Sequence, residues 1–229
     1  RYASRGLGDV YKRQESYDLM IKYVSDAEKA IKKLKRKKIK QIKSLNTKIT
    51  PAQIAPILRG LTFNGTNKKF ILTFRNNKIL KYFIDGKEVS RYSTEGTATP
   101  DHVIRVKPFP LIIKPKPKST ISEFEKTAKK AFINYRKKYL QYFERNQKKV
   151  KEKKTMLDTS PRVIIVQNIG IFCVGNSLKA ANIAADLTET NARVISSVEE
   201  TSKYKFIPKK DIFAVSYTHL TLPTIVRGE

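Results

Sequence analysis

From Glu15 onward the apolar residues Tyr17, Met20, Ile21, Val24, Ala27, Ile31 and Leu34 recur at three- and four-residue steps among lysines. A single apolar stripe of that spacing predicts a helix over 15–44. Thr50-Pro51-Ala52-Gln53 starts a second helix, with a capping threonine, proline at the first position and glutamine three residues on. Ile54, Ile57 and Leu58 follow, and Gly60 can close it. Residues 69–74 read as a short strand, and 77–84 carry Ile79, Leu80 and Phe83 at helical spacing. At 96–101 a turn leads into a helix start, with Thr99 as cap, Pro100 first and Asp101 suited to the dipole. Residues 109–113 are a strand, short or at an edge because prolines flank it. Pro115 and Pro117 then stiffen the connection.

Thr120 and Glu123 form a capping box that opens the longest helix, 120–149. Ile121, Phe124, Ala128, Ala131, Phe132, Tyr135, Tyr139, Tyr142 and Phe143 line one face of it. Such a face is ordinarily core, although aromatics among lysines also suit base stacking. A lysine-rich solvated stretch follows at 148–154. Residues 161–167 are an almost unbroken apolar run, the mark of a central strand. Asn168-Ile169-Gly170 turns the chain, and 171–174 returns as a second strand. Asn176 or Ser177 caps a last helix with Ala180, Ala181, Ala184, Leu187, Val194 and Val198 inward. The fold class expected is α/β, a layered mixed sheet with flanking helices.

At 229 residues the chain is long enough for one domain with a real core. No apolar run approaches the ~20 residues that span a bilayer, and the opening residues lack a charged-then-apolar signal pattern. The one cysteine, Cys173, excludes an internal disulfide framework and suits the cytoplasm. The formal net charge of +28 invites a polyanion partner. Lysine outnumbers arginine 35 to 13, however, and is spread through several segments. Nucleic-acid readers favour arginine for bidentate contacts. Coding bias and solvated faces are therefore the preferred reading, and a basic nucleic-acid-binding module the alternative.

The two ends differ in texture from the rest. Residues 1–14 and 214–229 resemble peptide strings translated from sequencing-adapter DNA at the ends of unrelated metagenomic sequences, with cores SRGLGDVYKRQ and VSYTHLTLPT. Both are set aside from fold reasoning as artefactual tails. His219 goes with the second, which leaves His102 as the only histidine of 15–213.

Candidate chemistry is sparse. Gly170 to Ser177 nearly fits the G-x-x-x-x-G-K-[ST] phosphate loop, but Asn176 stands where lysine should meet the phosphates, and 171–174 read as strand. Cys173, in an apolar strand, reads as buried and inert. A metal site needs three or four ligands, and one histidine cannot make it. Asp101 and His102 read first as a capping and hydrogen-bonding pair. With Arg105 and Lys107 they form the one candidate substrate-binding set, suited to a sugar phosphate. No catalytic, cofactor-binding or metal residues are expected.

Two stretches are distinctive in combination: Gly96-Thr97-Ala98-Thr99-Pro100-Asp101-His102-Val103-Ile104-Arg105-Val106-Lys107, and Pro161-Arg162-Val163-Ile164-Ile165-Val166 through Gly170-Ile171-Phe172-Cys173-Val174-Gly175. Both resemble the middle region of the bifunctional class II aldolase/short-chain dehydrogenase family, also called rhamnulose-phosphate aldolase/alcohol dehydrogenase. The resemblance implies that 15–48 is the C-terminal helix of a preceding aldolase domain. It makes 49–213 a degenerate, non-catalytic class II aldolase-like middle domain of a longer parent. Zinc and NAD would belong to the parent's flanking aldolase and dehydrogenase domains. Those domains are the implied partners, with room for a homo-oligomer and no membrane. The hairpin at 170–175 is similar to the family's zinc-site hairpin, with Ile169 in place of a zinc histidine. Thr97 and Thr99 can be laid over the other two ligand positions.

Overall fold

The computed structural model describes residues 3–44 and 48–218. It comprises two units, Arg1–Lys37 and Lys38–Glu229. In the first, α1 (Ala3–Lys32) is a single helix. It ends sooner than the expected 44, and residues 35–40 have no regular structure. Its stripe of Tyr17, Met20, Ile21, Val24 and Ile31 is exposed.

In the second unit α2 (Pro51–Asn64) opens on the predicted capping box. The Thr50 amide donates to Gln53 Oε1 at 2.9 Å, and the Gln53 amide donates to Thr50 Oγ1 at 3.4 Å. Gly60 does not end this helix, which continues to Asn64. A β-carbon at Gly60 would meet open space, so glycine there costs only helix propensity. The remaining elements are β1 (Ile71–Arg75), α3 (Lys78–Ile84), α4 (Val89–Tyr92), a 3-10 turn (Pro100–His102), α5 (Val103–Val106), β2 (Leu111–Ile113), α6 (Ile121–Gln147), β3 (Val163–Val166), β4 (Gly170–Gly175), α7 (Leu178–Glu199) and α8 (Lys209–Thr218).

The four strands form one sheet in the order β1-β4-β3-β2. β1 and β3 flank β4 antiparallel, while β2 pairs parallel with β3. The parallel pair requires a crossover, and α6 lies within it. This is the layered mixed α/β fold the sequence predicts. β3 and β4 occupy the centre and are buried along their whole length. Alternation divides their side chains between two cores. Ile164, Val166, Phe172 and Val174 join the core of α2 and α6, whereas Val163, Ile165, Ile171 and Cys173 join that of α3 and α7.

α6 buries Phe124, Ala128, Phe132, Tyr135, Tyr139 and Tyr142, so its aromatic face is core and not a base-stacking platform. α7 presents Ala181, Ala184, Ala185 and Ala192, small side chains that let it lie close on β4 and β1. α8 carries the chain past Phe213, and Tyr217 packs in the same core as the α6 tyrosines. Residues 219–229, including His219, and the first two residues of the opening segment lie outside the described residues. Among the described residues no helix is long and apolar enough to cross a membrane.

Candidate functional site

The four candidate residues follow one another through the 3-10 turn and α5, and the fold sends them in different directions. Asp101 is exposed. His102 turns toward α7, where Asn191 Oδ1 lies 2.8 Å from its Nδ1. The same oxygen accepts the Ala98 amide at 2.8 Å, so it also accepts from the imidazole, with Nδ1–H as the donor. His102 therefore ties its segment to α7, as a hydrogen-bonding residue, though its partner is Asn191 and not Asp101. Thr99 precedes the 3-10 turn without a side-chain capping bond. Its carbonyl instead accepts from Thr97 Oγ1 at 2.7 Å, and Tyr204 Oη donates to the Thr97 carbonyl at 2.7 Å.

Arg105 lines a pocket of about 230 Å3 together with Lys68, Asp158, Arg162, Gly175 and Asn176. Arg162 grips Asp158 with both guanidinium nitrogens, Nη1 to Oδ1 at 3.0 Å and Nη2 to Oδ2 at 2.5 Å. Its guanidinium also lies 5.2 Å from the centre of the Phe70 ring. Gly175 is required by packing, because a β-carbon there would lie 2.8 Å from the Ala180 carbonyl carbon and closer still to the Ala181 nitrogen. Its absence lets the first turn of α7 close down on the end of β4.

Lys107 is only 2% exposed. Its ammonium donates to the carbonyls of Asp158 and, at 2.7 Å, Ser160. It lies 3.7 Å from Asp158 Oδ1 and 4.1 Å from the centre of the Tyr139 ring. Burial and the positive charge of Arg162 push its pKa down to about 7, against the pull of Asp158. Burial alone would raise the Asp158 carboxyl, but Arg162 and Lys107 outweigh it and hold the pKa below the usual range. The Lys107 backbone has φ 64°, rare for a residue with a β-carbon. Each of these features fits a structural pin. A cavity of about 40 Å3 on the other side, between Lys107, Thr97, Val163 and Asn191, has room for little more than a water.

Cys173 is fully buried, with burial pushing its thiol up to about 12. It is inert, as its apolar strand predicts. Lys68, Asp158 and Arg162 were not singled out by sequence. The available signal was the four-residue step from Asp158 to Arg162 in a chain where arginine is the scarcer base.

Residues 49–222 match the family model described as Aldolase class II, second domain. The chain belongs to this family. It is also 24% identical over 172 residues to the Uncharacterized oxidoreductase YuxG of Bacillus subtilis (strain 168), which covers 75% of this chain. The chain spans only about a quarter, 24%, of that relative's length. No solved structure matches it.

The family resemblance implies zinc, and the residues of this aldolase class II second domain do not fit that metal. Ile169 packs into the α6 side of the sheet. Thr97 and Thr99 lie with Asn191 and Tyr204 on the α7 side. An isoleucine and two threonines are poor zinc ligands in any arrangement, and these three do not converge. Among the described residues no three His, Cys, Asp or Glu side chains cluster as a metal set.

Proposed function

We propose that this chain is a non-catalytic class II aldolase-like domain of a longer, bifunctional polypeptide acting in carbohydrate metabolism. A sugar-phosphate aldolase domain would precede it and a short-chain dehydrogenase domain would follow. The observation that carries the reading is a second-domain match over 49–222 in which the three laid-over ligand positions are Ile169, Thr97 and Thr99, divided between opposite faces of the sheet. A relative named as an oxidoreductase, of which the matched stretch is 24%, supports the longer parent. In this reading zinc and NAD are held by the flanking domains, which are also this domain's partners, in the cytoplasm. The exposed stripe of α1, with Tyr17, Met20, Ile21, Val24 and Ile31, supplies the surface that the preceding domain would cover.

The test uses the purified chain. After equilibration with zinc and dialysis, metal analysis should find far less than one zinc per chain. A ketose 1-phosphate should release no dihydroxyacetone phosphate. Stoichiometric zinc together with retro-aldol turnover would overturn the reading. The longer parent should carry out zinc-dependent cleavage and NAD-linked oxidation.

A further inference from the structure

We propose that the pocket between α5, the end of β4 and the first turn of α7 binds the terminal phosphoryl group of a small molecule. Three cations reach it from separate parts of the chain: Lys68 from before β1, Arg105 from α5 and Arg162 from before β3. One carboxylate, Asp158, lines it, and that group is already shared by Arg162 and Lys107. Three cations against one carboxylate, itself also neutralised by Lys107, leave an excess of positive charge that complements a phosphomonoester dianion. Among the described residues the side chains of Arg105 and Lys68 have no hydrogen-bond or ion-pair partner, so both are free to turn onto a ligand.

The kind of cation matters in a chain this basic. Arginine supplies 13 of the 48 basic residues but two of the three cations here. Its planar fork suits bidentate contact with phosphoryl oxygens, which a lysine ammonium cannot make. Asp158 already holds the Arg162 fork in place. The floor adds backbone. Gly175 and Asn176 lead into α7, a 22-residue helix whose positive end faces this side, with Ser177 Oγ accepting the Ala180 amide at 3.1 Å. The loop lacks the lysine of a phosphate loop, and the fold supplies that charge from Lys68, Arg105 and Arg162. A volume of about 230 Å3 accommodates a phosphoryl group with a short carbon tail and is too confined for a nucleic-acid duplex.

The experiment titrates the full chain with inorganic phosphate, then with glycerol 3-phosphate, by calorimetry at constant ionic strength in chloride. Saturable binding at one site is expected. Arg105→Ala and Lys68→Ala should each weaken it about tenfold or more, with thermal midpoints unchanged because both side chains are exposed. Lys130→Ala, on the exposed face of α6, should bind as the parent chain does. Phosphate binding no tighter than chloride would overturn the proposal. So would equal weakening by all three substitutions, the mark of diffuse charge. Displacement of phosphate by a single-stranded oligonucleotide of equal or higher affinity would also overturn it, in favour of a nucleic-acid ligand. None of these outcomes depends on the zinc and aldolase tests, so the two readings can fail separately.

Discussion

Lys107 and Asp158 are 51 residues apart in sequence and meet inside the core, ammonium 3.7 Å from carboxylate oxygen, while Arg162 holds the same carboxylate from its other side. One carboxylate thus serves two cations, one buried and one at the pocket. The arrangement fastens the end of α5 to the segment that leads into β3. Moving a lysine out of water is costly, and the Asp158 carboxylate, two backbone carbonyls and the Tyr139 ring together offset that cost.

The first consequence is a pH dependence of stability. In the folded chain Lys107 releases its proton near pH 7, against an ordinary value of 10.5. Between those limits the unfolded chain holds more protons, so stability rises with pH, by at most about 1.4 kcal/mol per unit. Below pH 7 both states are protonated and Lys107 adds no further slope. Near pH 10 the trend turns over, because unfolded tyrosines ionise there while burial pushes Tyr135 and Tyr139 higher in the folded chain. Urea midpoints between pH 7 and 9.5 should therefore climb, and Lys107→Met should flatten the climb.

Removing the shared carboxylate should be severe. Below pH 7, where Lys107 is protonated, Asp158→Asn leaves it buried without its countercharge, a change that ordinarily costs about 3–5 kcal/mol. The double variant with Lys107→Met should recover the part of that loss that Lys107 causes, while the Arg162 contacts to the carboxylate stay lost. Denaturant unfolding of the four chains gives the coupling directly. Additive single losses would mean that the pair does not act as a unit.

Cys173 supplies a probe of the core. Its thiol is fully buried and its pKa is pushed up to about 12, so the reactive thiolate is scarce and shielded. Alkylation by iodoacetamide at pH 8 should proceed only as fast as the sheet opens. It should become rapid in denaturant at the concentration where the circular dichroism signal is lost. Prompt labelling of the native chain would mean that β4 is not one of the two inner strands.

Much of the fold was legible because local signals and tertiary packing agree. The capping boxes at Thr50 and Thr120 form as spelled, and the apolar run at 163–166 is one of the two inner strands. Helix ends were less legible. Gly60 carries the usual stop signal, but the core contacts of Leu58 and Leu61 continue past it. The site was hardest to read. Lys107 was legible as a candidate ligand-binding residue, but nothing local marks it as a buried pin; its burial is made by Asp158, Ser160 and Tyr139, all distant in sequence. Arg105 was legible as a candidate, whereas Lys68 and Arg162 become its neighbours only when β1, β3 and α5 assemble.

Tyr217 tests where the cooperative core ends. Its segment differs in texture from the rest of the sequence, yet its side chain is 1% exposed. Its ring centre lies 4.6 Å from that of Phe213 and 5.4 Å from that of Phe143, and its hydroxyl is 3.0 Å from the Tyr139 hydroxyl. Two substitutions separate these contributions. Tyr217→Phe keeps the ring but leaves the buried Tyr139 hydroxyl unpaired, an expected loss of about 1–3 kcal/mol. Tyr217→Ala also removes the ring and opens a cavity between α6 and α8, which raises the expected loss to about 3–5 kcal/mol. Both are read from urea unfolding of the full chain, with unchanged slope as the sign that the folded state keeps its extent. If both variants stay within about 0.5 kcal/mol of the parent chain, the level of an ordinary surface change, residues 214–218 contribute nothing to the core and the aromatic cluster of α6 closes on Phe213 alone.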